Sequence, residues 1–134
     1  MPPPTRKNRR AANQIRFAWD SAIEILYAIF PEGTIENTEF ETRIFPKDAI
    51  YETNGSGYVV DSLRSAHWAC GNKSYEKTVK AAISLGNDTD TTACIAGGIA
   101  GLEFGLNEIP KRWRDNMRGK EIYEPLIEKL ISIL

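Results

Sequence analysis

Apolar residues at helical spacing are the feature that most restricts how this chain can fold. From residue 58 to the C-terminus they recur every third or fourth position, as in Val59, Leu63 and Ala66. Residues 8–30 show the same spacing. In an α-helix this spacing gathers the apolar side chains on one face, which packs against other helices. The pattern therefore predicts an all-α fold, a helical bundle.

Residues that break helices divide this pattern into six predicted segments. They are residues 8–30, 58–70, 74–85, 88–104, 109–117 and 121–134. Ser74 is the expected N-cap of the third segment, because a serine hydroxyl can accept a hydrogen bond from a free backbone N–H. Pro110 suits a first helical turn, where that donor is not needed. We expect a single domain over residues 8–134, preceded by a flexible arm of residues 1–7.

Residues 31–56 form an acidic insert between the first two helices. Its acids are Glu32, Glu36, Glu39, Glu41, Asp48 and Glu52, and its bases are Arg43 and Lys47. Because β-branched residues alternate with charges, either a long functional loop or a short irregular strand pair fits this segment. Periodicity does not decide between the two.

Composition excludes several classes of protein. The 17 Lys and Arg residues nearly balance 18 Asp and Glu, which argues against a nucleic-acid binder. The longest uncharged apolar run, residues 93–102, is too short to span a membrane. The basic, proline-rich start lacks the apolar stretch of a secretory signal. Cys70 and Cys94 form no CxxC pattern and are interpreted as small buried residues of a cytoplasmic protein.

Gly97, Gly101 and Gly105 recur every fourth residue in the segment 88–104 and just after it. Glycine destabilises a helix by about 1 kcal/mol relative to alanine, so this stripe needs a compensating interaction. Close approach of a neighbouring helix is the simplest one, and we predict that these glycines line a packing groove.

A pair of carboxylates at the start of that same helix carries the most chemistry. Asp88, Asp90 and Thr91 lie within one turn, just after Gly86 and Asn87. Aspartate and threonine are common helix caps, so a purely structural role is one interpretation. The other is a metal site, because neighbouring carboxylates repel unless a cation compensates them, and oxygen ligands suit Mg²⁺, Mn²⁺ or Ca²⁺. These residues alone leave both open.

The turn before the second helix is a second candidate site. Gly55, Ser56 and Gly57 are followed by the aromatic Tyr58. Successive backbone N–H groups in such a turn can form a nest for an anion, and a diphosphate with a flat base would fit beside the ring. An ordinary tight turn, with Ser56 capping the next helix, explains the same residues.

Several motifs in order resemble the ADP-ribosylglycohydrolase family. They are residues 57–63 (GYVVDSL), 66–68 (AHW), 81–91 (AAISLGNDTDT), 96–101 (AGGIAG) and 109–113 (IPKRW). The similarity covers about residues 54–118 and is far more specific than the DxDT tetrad alone. It implies an all-α domain like the C-terminal part of that fold. It also implies a hydrolase that holds two Mg²⁺ or Mn²⁺ ions and removes ADP-ribose from a protein side chain.

The resemblance also implies roles for individual residues. Asp88, Asp90 and Thr91 would be metal ligands, and Asp88 and Asp90 would be the catalytic carboxylates. Metal ions can activate a water for attack, and a nearby carboxylate can act as acid or base. The four residues from Gly55 to Tyr58 would line the cleft for ADP-ribose, with Tyr58 near the adenine or the diphosphate.

The chain departs from the family pattern in two ways. Members are about twice as long, and their first half carries a Thr-Asp-Asp run and an early glutamate, whereas this chain has no Asp-Asp. Asn87 stands where many members have a second glycine. Because each octahedral ion needs about six oxygens, Asp88, Asp90 and Thr91 cannot supply two shells.

We therefore expect half of a metal site in a chain that resembles the C-terminal portion of the enzyme. A partner chain or self-association would complete that site, so an oligomer or a permanent complex is predicted. It would also cover apolar faces that a partial bundle leaves exposed. The alternatives are a non-catalytic module that binds ADP-ribose or an ADP-ribosylated protein, and a structural remnant in which DxDT is only a cap.

Overall fold

The computed structural model describes the backbone of residues 6–45 and 53–133, and the side chains from residue 18 onwards within those ranges. All regular structure in these ranges is helical, which confirms the all-α prediction. The α-helices are α1 (Arg6–Ile29), α2 (Ile35–Glu39), α3 (Val59–Cys70), α4 (Tyr75–Ser84), α5 (Thr89–Phe104), α6 (Lys111–Asp115) and α7 (Lys120–Ile131). A π-helical turn, Phe40–Ile44, continues α2, and a 3₁₀ turn, Leu106–Glu108, follows α5.

Local capping explains where these helices start and stop. Ser74 is the N-cap of α4, as predicted, and its hydroxyl accepts a hydrogen bond from the Lys77 N–H at 3.4 Å. Gly119, at φ +74°, separates α6 from α7. Helix α1 begins at Arg6, so the last two residues of the expected flexible arm are helical. Residues 1–5 of that arm lie outside the described residues.

The acidic insert is neither a long loop nor a strand pair over residues 35–44, so both interpretations are wrong there. Thr34 starts α2 because its hydroxyl accepts a hydrogen bond from the Asn37 N–H at 3.2 Å. Asn37 is buried and donates its side-chain amide to the carbonyl of Phe30 at 3.1 Å. These capping bonds make the segment helical despite its alternating charges. Residues 46–52 of the insert lie outside the described residues.

The centre of the bundle is formed by α5 packed against α3 and α4. The core residues are Ala66, Ala69, Ala82 and Ala96, all fully buried. Because alanine side chains are short, the three helices can approach closely. This arrangement holds the first turn of α5 against the end of α4 and the start of α3.

The glycine stripe of α5 is only partly a packing groove. A Cβ added to Gly97 would lie 3.3 Å from the hydroxyl oxygen of Tyr75 on α4, so this glycine does face a neighbouring helix. Gly105 has a different role, and the prediction for it is wrong. It ends α5 at φ +79°, with nothing within 4 Å of an added Cβ. Its conformational freedom, rather than its small size, explains its position there.

The two cysteines have different environments. Cys70 is buried at the end of α3, as predicted, whereas Cys94 on α5 is exposed. The expectation that both are buried is therefore wrong. Position 94 falls between Thr92 and Ala96, which are fully buried, and is turned about 200° around the helix from each of them.

Two surfaces are unusually apolar. Helix α1, the insert and Leu63 of α3 line a partly open apolar pocket of about 390 Å³, whose other residues include Trp19, Leu26 and Phe40. Helix α7 has no buried residue, and Ile122 and Leu126 are 67% and 64% exposed. None of the helices in the described ranges is both long and apolar enough to cross a bilayer.

Candidate functional site

The two candidate segments, far apart in sequence, meet in the structure. The backbone N–H of Asp88 donates to the carbonyl oxygen of Gly55 at 3.0 Å. Beside it, the side-chain amide of Asn87 donates to the carbonyl oxygen of Asn54 at 2.7 Å. The turn before α3 is thus hydrogen-bonded to the turn before α5. Because α5 packs against α3, both turns lie at the same end of the bundle.

Glycine is required where the two turns touch. Gly55 has φ +64°, and an added Cβ would lie 2.9 Å from both the carbonyl oxygen of Gly86 and the Cβ of Leu85. A Cβ on Gly57 would lie 2.6 Å from the carboxylate oxygen Oδ2 of Asp88. Separations this short are not tolerated between non-bonded atoms, so each position excludes a side chain unless a neighbour moves. The Asp88 carboxylate therefore lies directly against the backbone of Gly57.

Asp88 occupies the N-cap position of α5, but its side chain makes no capping hydrogen bond. The interpretation of this carboxylate as a conventional cap is therefore wrong. Asp90 lies two residues later, in the first turn of α5. Hydrogen bonding, first with the Asp88 side chain and then with the backbone N–H groups of Asp90 and Thr91, lowers the pKa of Asp90. Both carboxyl groups thus lie at the start of α5.

This geometry fits part of a divalent cation site. Two carboxylates in the same helical turn repel when both are ionised, and a proton or a cation relieves the repulsion. Asp90 and Thr91 are exposed and Asp88 is half-buried, so their oxygens can be reached from solvent. Carboxylate and hydroxyl oxygens are the donors that Mg²⁺ and Mn²⁺ accept. The three predicted metal ligands lie in one turn at the start of α5, and metal binding by them stays a prediction.

The described residues supply only part of a coordination shell. Among them, no group of three or more His, Cys, Asp or Glu side chains is arranged to hold a metal ion. Asp88, Asp90 and Thr91 offer a few oxygens, whereas an octahedral ion takes about six ligands and two ions take more. Waters or ligands from outside these residues would have to provide the rest.

The turn of Gly55 to Tyr58 is a tight turn rather than an open nest. The N–H of Gly55 donates to the hydroxyl of Ser65 at 3.2 Å, and that of Ser56 donates to the side-chain oxygen of Asn54 at 3.0 Å. The N–H of Tyr58 donates to the hydroxyl of Ser56 at 3.3 Å. These three groups already have protein partners, so the nest interpretation is wrong for them. Substrate contact by Gly55, Ser56, Gly57 and Tyr58 stays a prediction.

Ser56 and Tyr58 have opposite environments within that turn. The hydroxyl of Ser56 donates to Asp61 Oδ2 at 2.5 Å, and the hydroxyl of Ser62 donates to the Ser56 carbonyl at 3.0 Å. Both bonds fasten the turn to α3. Tyr58 is 63% exposed and presents its ring to solvent. Of the four residues predicted to bind substrate, Tyr58 is the one with a large side chain available for contact.

The residues that hold the two turns together belong to none of the predicted site motifs, apart from Asn87, which is a departure from the family pattern. Asn54, Ser65 and Asn87 each contribute a hydrogen bond where the turn before α3 meets the turn before α5. Ser65 is fully buried within the apolar face of α3. A buried hydroxyl needs a partner, so its position on that face was the signal that could have identified it.

Comparison with known proteins relates this chain to one family. A sequence model of the ADP-ribosylglycohydrolase family matches residues 6–134. The ADP-ribosylarginine hydrolase Tri1 of Serratia proteamaculans is 39% identical over 80 residues, which are 59% of this chain and 22% of that protein. The human ADP-ribosylhydrolase ARH3 is 40% identical over 57 residues, 42% of this chain and 16% of that protein. No solved structure matches significantly.

The aligned region is a minor part of each relative. A glycohydrolase of Rhodospirillum rubrum that acts on ADP-ribosyl-dinitrogen reductase is 30% identical over 64 residues, which are 47% of this chain and 22% of that protein. The chain thus spans about a fifth of the length of these relatives. The family match nevertheless extends over nearly all of this chain. The chain belongs to the ADP-ribosylglycohydrolase family.

Proposed function

We propose that this chain takes part in the Mg²⁺- or Mn²⁺-dependent hydrolysis of the bond between ADP-ribose and a modified protein side chain. The observation that carries the proposal is the carboxylate of Asp88, which makes no capping bond and lies against Gly57 at the start of α5, in the same turn as Asp90. The names of the relatives, which are ADP-ribosyl hydrolases, support the reaction class.

Each residue of the site has a defined part in this proposal. Asp88, Asp90 and Thr91 would hold the ion through their side-chain oxygens. An ion held there supplies Lewis acidity, which orients hydroxyl groups and activates water. One of the two carboxylates would accept or return a proton as the bond to the anomeric carbon is broken. The exposed ring of Tyr58 is suited to contact the adenine or the diphosphate of ADP-ribose.

We further propose that a second copy or a complementary chain completes the site. The described residues provide no third carboxylate next to Asp88 and Asp90. Helix α7 exposes Ile122, Leu126 and further apolar side chains along its length. Exposed apolar surface of this extent is normally covered by a partner. A permanent complex would therefore supply the missing metal ligands and bury the exposed apolar side chains of α7.

The alternative is a module that binds ADP-ribose, or a protein that carries it, without cleaving it. The incomplete ligand set favours this alternative, because a partial shell can hold an ion and a phosphate without activating water. Both proposals require metal-dependent binding at the same carboxylates. They differ in whether turnover follows binding.

Titration calorimetry with ADP-ribose tests the shared part. The protein is titrated with Mn²⁺ present, with EDTA, and as the double variant Asp88→Ala/Asp90→Ala. Asp20→Ala, which removes an exposed carboxylate of α1, is the matched control. We expect binding in the presence of Mn²⁺ that EDTA and the double variant abolish and the control retains. Absence of binding in every condition would overturn both proposals and leave a structural remnant.

Gly57→Ala adds a geometric test, in which the protein is titrated with Mn²⁺ alone. Its Cβ would lie 2.6 Å from Asp88 Oδ2, so the carboxylate must rotate away. We expect the affinity for Mn²⁺ to fall about tenfold, the lower end of the effect of disturbing the groups that orient metal ligands. Unchanged affinity in Gly57→Ala would contradict the assignment of Asp88 as a ligand.

Turnover separates the hydrolase from the binding module. Release of ADP-ribose from an ADP-ribosylated arginine peptide, measured with Mn²⁺ and with EDTA, supports the enzyme, whereas binding without release supports the module. Sedimentation of the same sample tests the partner. A well-folded, monodisperse monomer that turns over substrate would contradict the need for a second chain.

A further inference from the structure

We propose that Asn87 is a positioning residue for the metal-binding carboxylate of Asp88. This inference rests on the proposed function and extends it to a residue that contacts neither ion nor substrate. Asn87 precedes Asp88 directly and lies in the left-handed region at φ +54°. It is the one non-glycine residue among those described that has a positive φ. Asparagine tolerates this conformation better than most side chains.

The conformation of Asn87 places its side chain across the gap between the two turns. Its amide nitrogen donates to the carbonyl oxygen of Asn54 at 2.7 Å, a short hydrogen bond for this pair of groups. Asn54 immediately precedes the glycine turn. The bond therefore ties the backbone that enters that turn to the residue that precedes the carboxylate.

Two further bonds complete what we call the clamp. The Asp88 N–H donates to the Gly55 carbonyl at 3.0 Å, and the Gly55 N–H donates to the buried hydroxyl of Ser65 at 3.2 Å. The clamp thus consists of the bonds Asn87–Asn54, Asp88–Gly55 and Gly55–Ser65. Through Ser65 it anchors the glycine turn to α3, and through Asn87 and Asp88 it anchors that turn to the start of α5.

The clamp matters because the carboxylate of Asp88 has no cap bond to orient it. Its position depends on the backbone of Asp88, on the interaction with Asp90 and on contact with the neighbouring Gly57. The backbone position and the contact with Gly57 depend on how the two turns sit against each other. If the amide of Asn87 is removed, only the bond from the Asp88 N–H to the Gly55 carbonyl still ties the glycine turn directly to the start of α5. The carboxylate then samples other orientations, and a metal ion that needs one of them binds more weakly.

Asn87→Gly isolates the side-chain amide. Glycine accepts a positive φ without strain, so the backbone conformation is retained while the hydrogen bond is lost. The matched control is Asn72→Gly, which removes an amide that donates at 2.9 Å to the carbonyl of Ala69, at the other end of α3. Each variant loses one hydrogen bond from an asparagine side chain to a backbone carbonyl, but only Asn87 belongs to the clamp.

Two measurements are made on the parent protein, Asn87→Gly and Asn72→Gly. The first is the dissociation constant for Mn²⁺, from the spin-resonance signal of the free ion. The second is the hydrogen-exchange rate of the Asp88 N–H without metal. In Asn87→Gly we expect Mn²⁺ affinity to fall about tenfold and the Asp88 N–H to exchange faster. In Asn72→Gly we expect both to match the parent protein.

The results separate this inference from the proposed function. If the parent protein binds no Mn²⁺, the proposed function fails and the positioning role fails with it. If the parent binds Mn²⁺ and Asn87→Gly binds within twofold of it, only the inference is overturned. An equal loss of affinity in Asn72→Gly would also overturn it, because the effect would then be one of general stability.

Ser65→Ala examines the opposite side of the clamp. It removes the acceptor of the Gly55 N–H. Faster exchange at Gly55, together with weaker Mn²⁺ binding, would support the clamp. If Gly55 exchanges faster while Mn²⁺ binding stays the same, the turn does not control the carboxylate, and the inference is wrong.

Discussion

Replacement of Gly55 by alanine measures how tightly the two turns of the candidate site are packed. Gly55 has φ +64°, where a residue with a Cβ is strained by about 1–2 kcal/mol. The added Cβ would also lie 2.9 Å from the carbonyl oxygen of Gly86 and 2.9 Å from the Cβ of Leu85. Overpacking of this kind costs about 1–3 kcal/mol because backbone must move.

The net effect follows from these terms. Alanine also restricts the unfolded chain, which returns about 0.4–1 kcal/mol of stability. We therefore expect Gly55→Ala to lower the free energy of unfolding by about 3 kcal/mol. For 134 residues the entropy of unfolding is about 0.28 kcal/mol/K, so Tm should fall by about 10 °C.

Gly86→Ala is the matched control, because it separates strain from close contact. Gly86 also has a positive φ, +75°, but nothing lies within 4 Å of an added Cβ. Only the backbone strain applies, and the expected loss is about 1 kcal/mol. Gly98→Ala, in an open position of α5, should instead stabilise the protein by about 1 kcal/mol.

The assay is urea unfolding followed by circular dichroism, with thermal unfolding as a second measurement. Gly55→Ala should lower the free energy of unfolding by about 2 kcal/mol more than Gly86→Ala does, because only Gly55 is closely packed. If the two variants lose the same stability, the two turns do not pack as closely as the structure indicates.

Two further predictions concern titratable groups. Burial lowers the pKa of His67 below 6.5, so protonation favours the unfolded chain, and stability should fall as the pH drops through 6.5. In His67→Phe, the urea concentration at the unfolding midpoint should fall less between about pH 7 and 5.5 than in the parent protein. If it falls equally in both, other groups cause the loss of stability. Burial, and to a lesser extent Glu103, raise the pKa of Cys70 to about 11, whereas Cys94 is exposed. A thiol reagent at about pH 8 should therefore modify Cys94 alone in the folded protein. Mass spectrometry of the modified protein checks this, and modification of Cys70 would contradict it.

Local patterns were sufficient to predict most of the helices. Val59–Cys70 and Tyr75–Ser84 differ by no more than one residue at either end from the predicted segments, because apolar spacing and the cap at Ser74 are properties of short stretches. The acidic insert was mispredicted over residues 35–44. There the capping bond of Thr34 and the buried amide of Asn37 outweigh the alternating pattern. Cys94 was mispredicted because spacing alone does not show which face of α5 is outermost.

The all-α fold, the family, and the grouping of Asp88, Asp90 and Thr91 in one helical turn could all be predicted from the sequence. These follow from local spacing and from motifs that are read along the chain. The fold was needed to show that Gly57 lies against Asp88, that Asn87 bonds to Asn54, and that three N–H groups of the glycine turn already have partners. The first two contacts join residues about thirty positions apart, and they depend on how closely α3, α4 and α5 pack. No periodicity within either segment encodes that distance, because it is set by the alanine core between the helices.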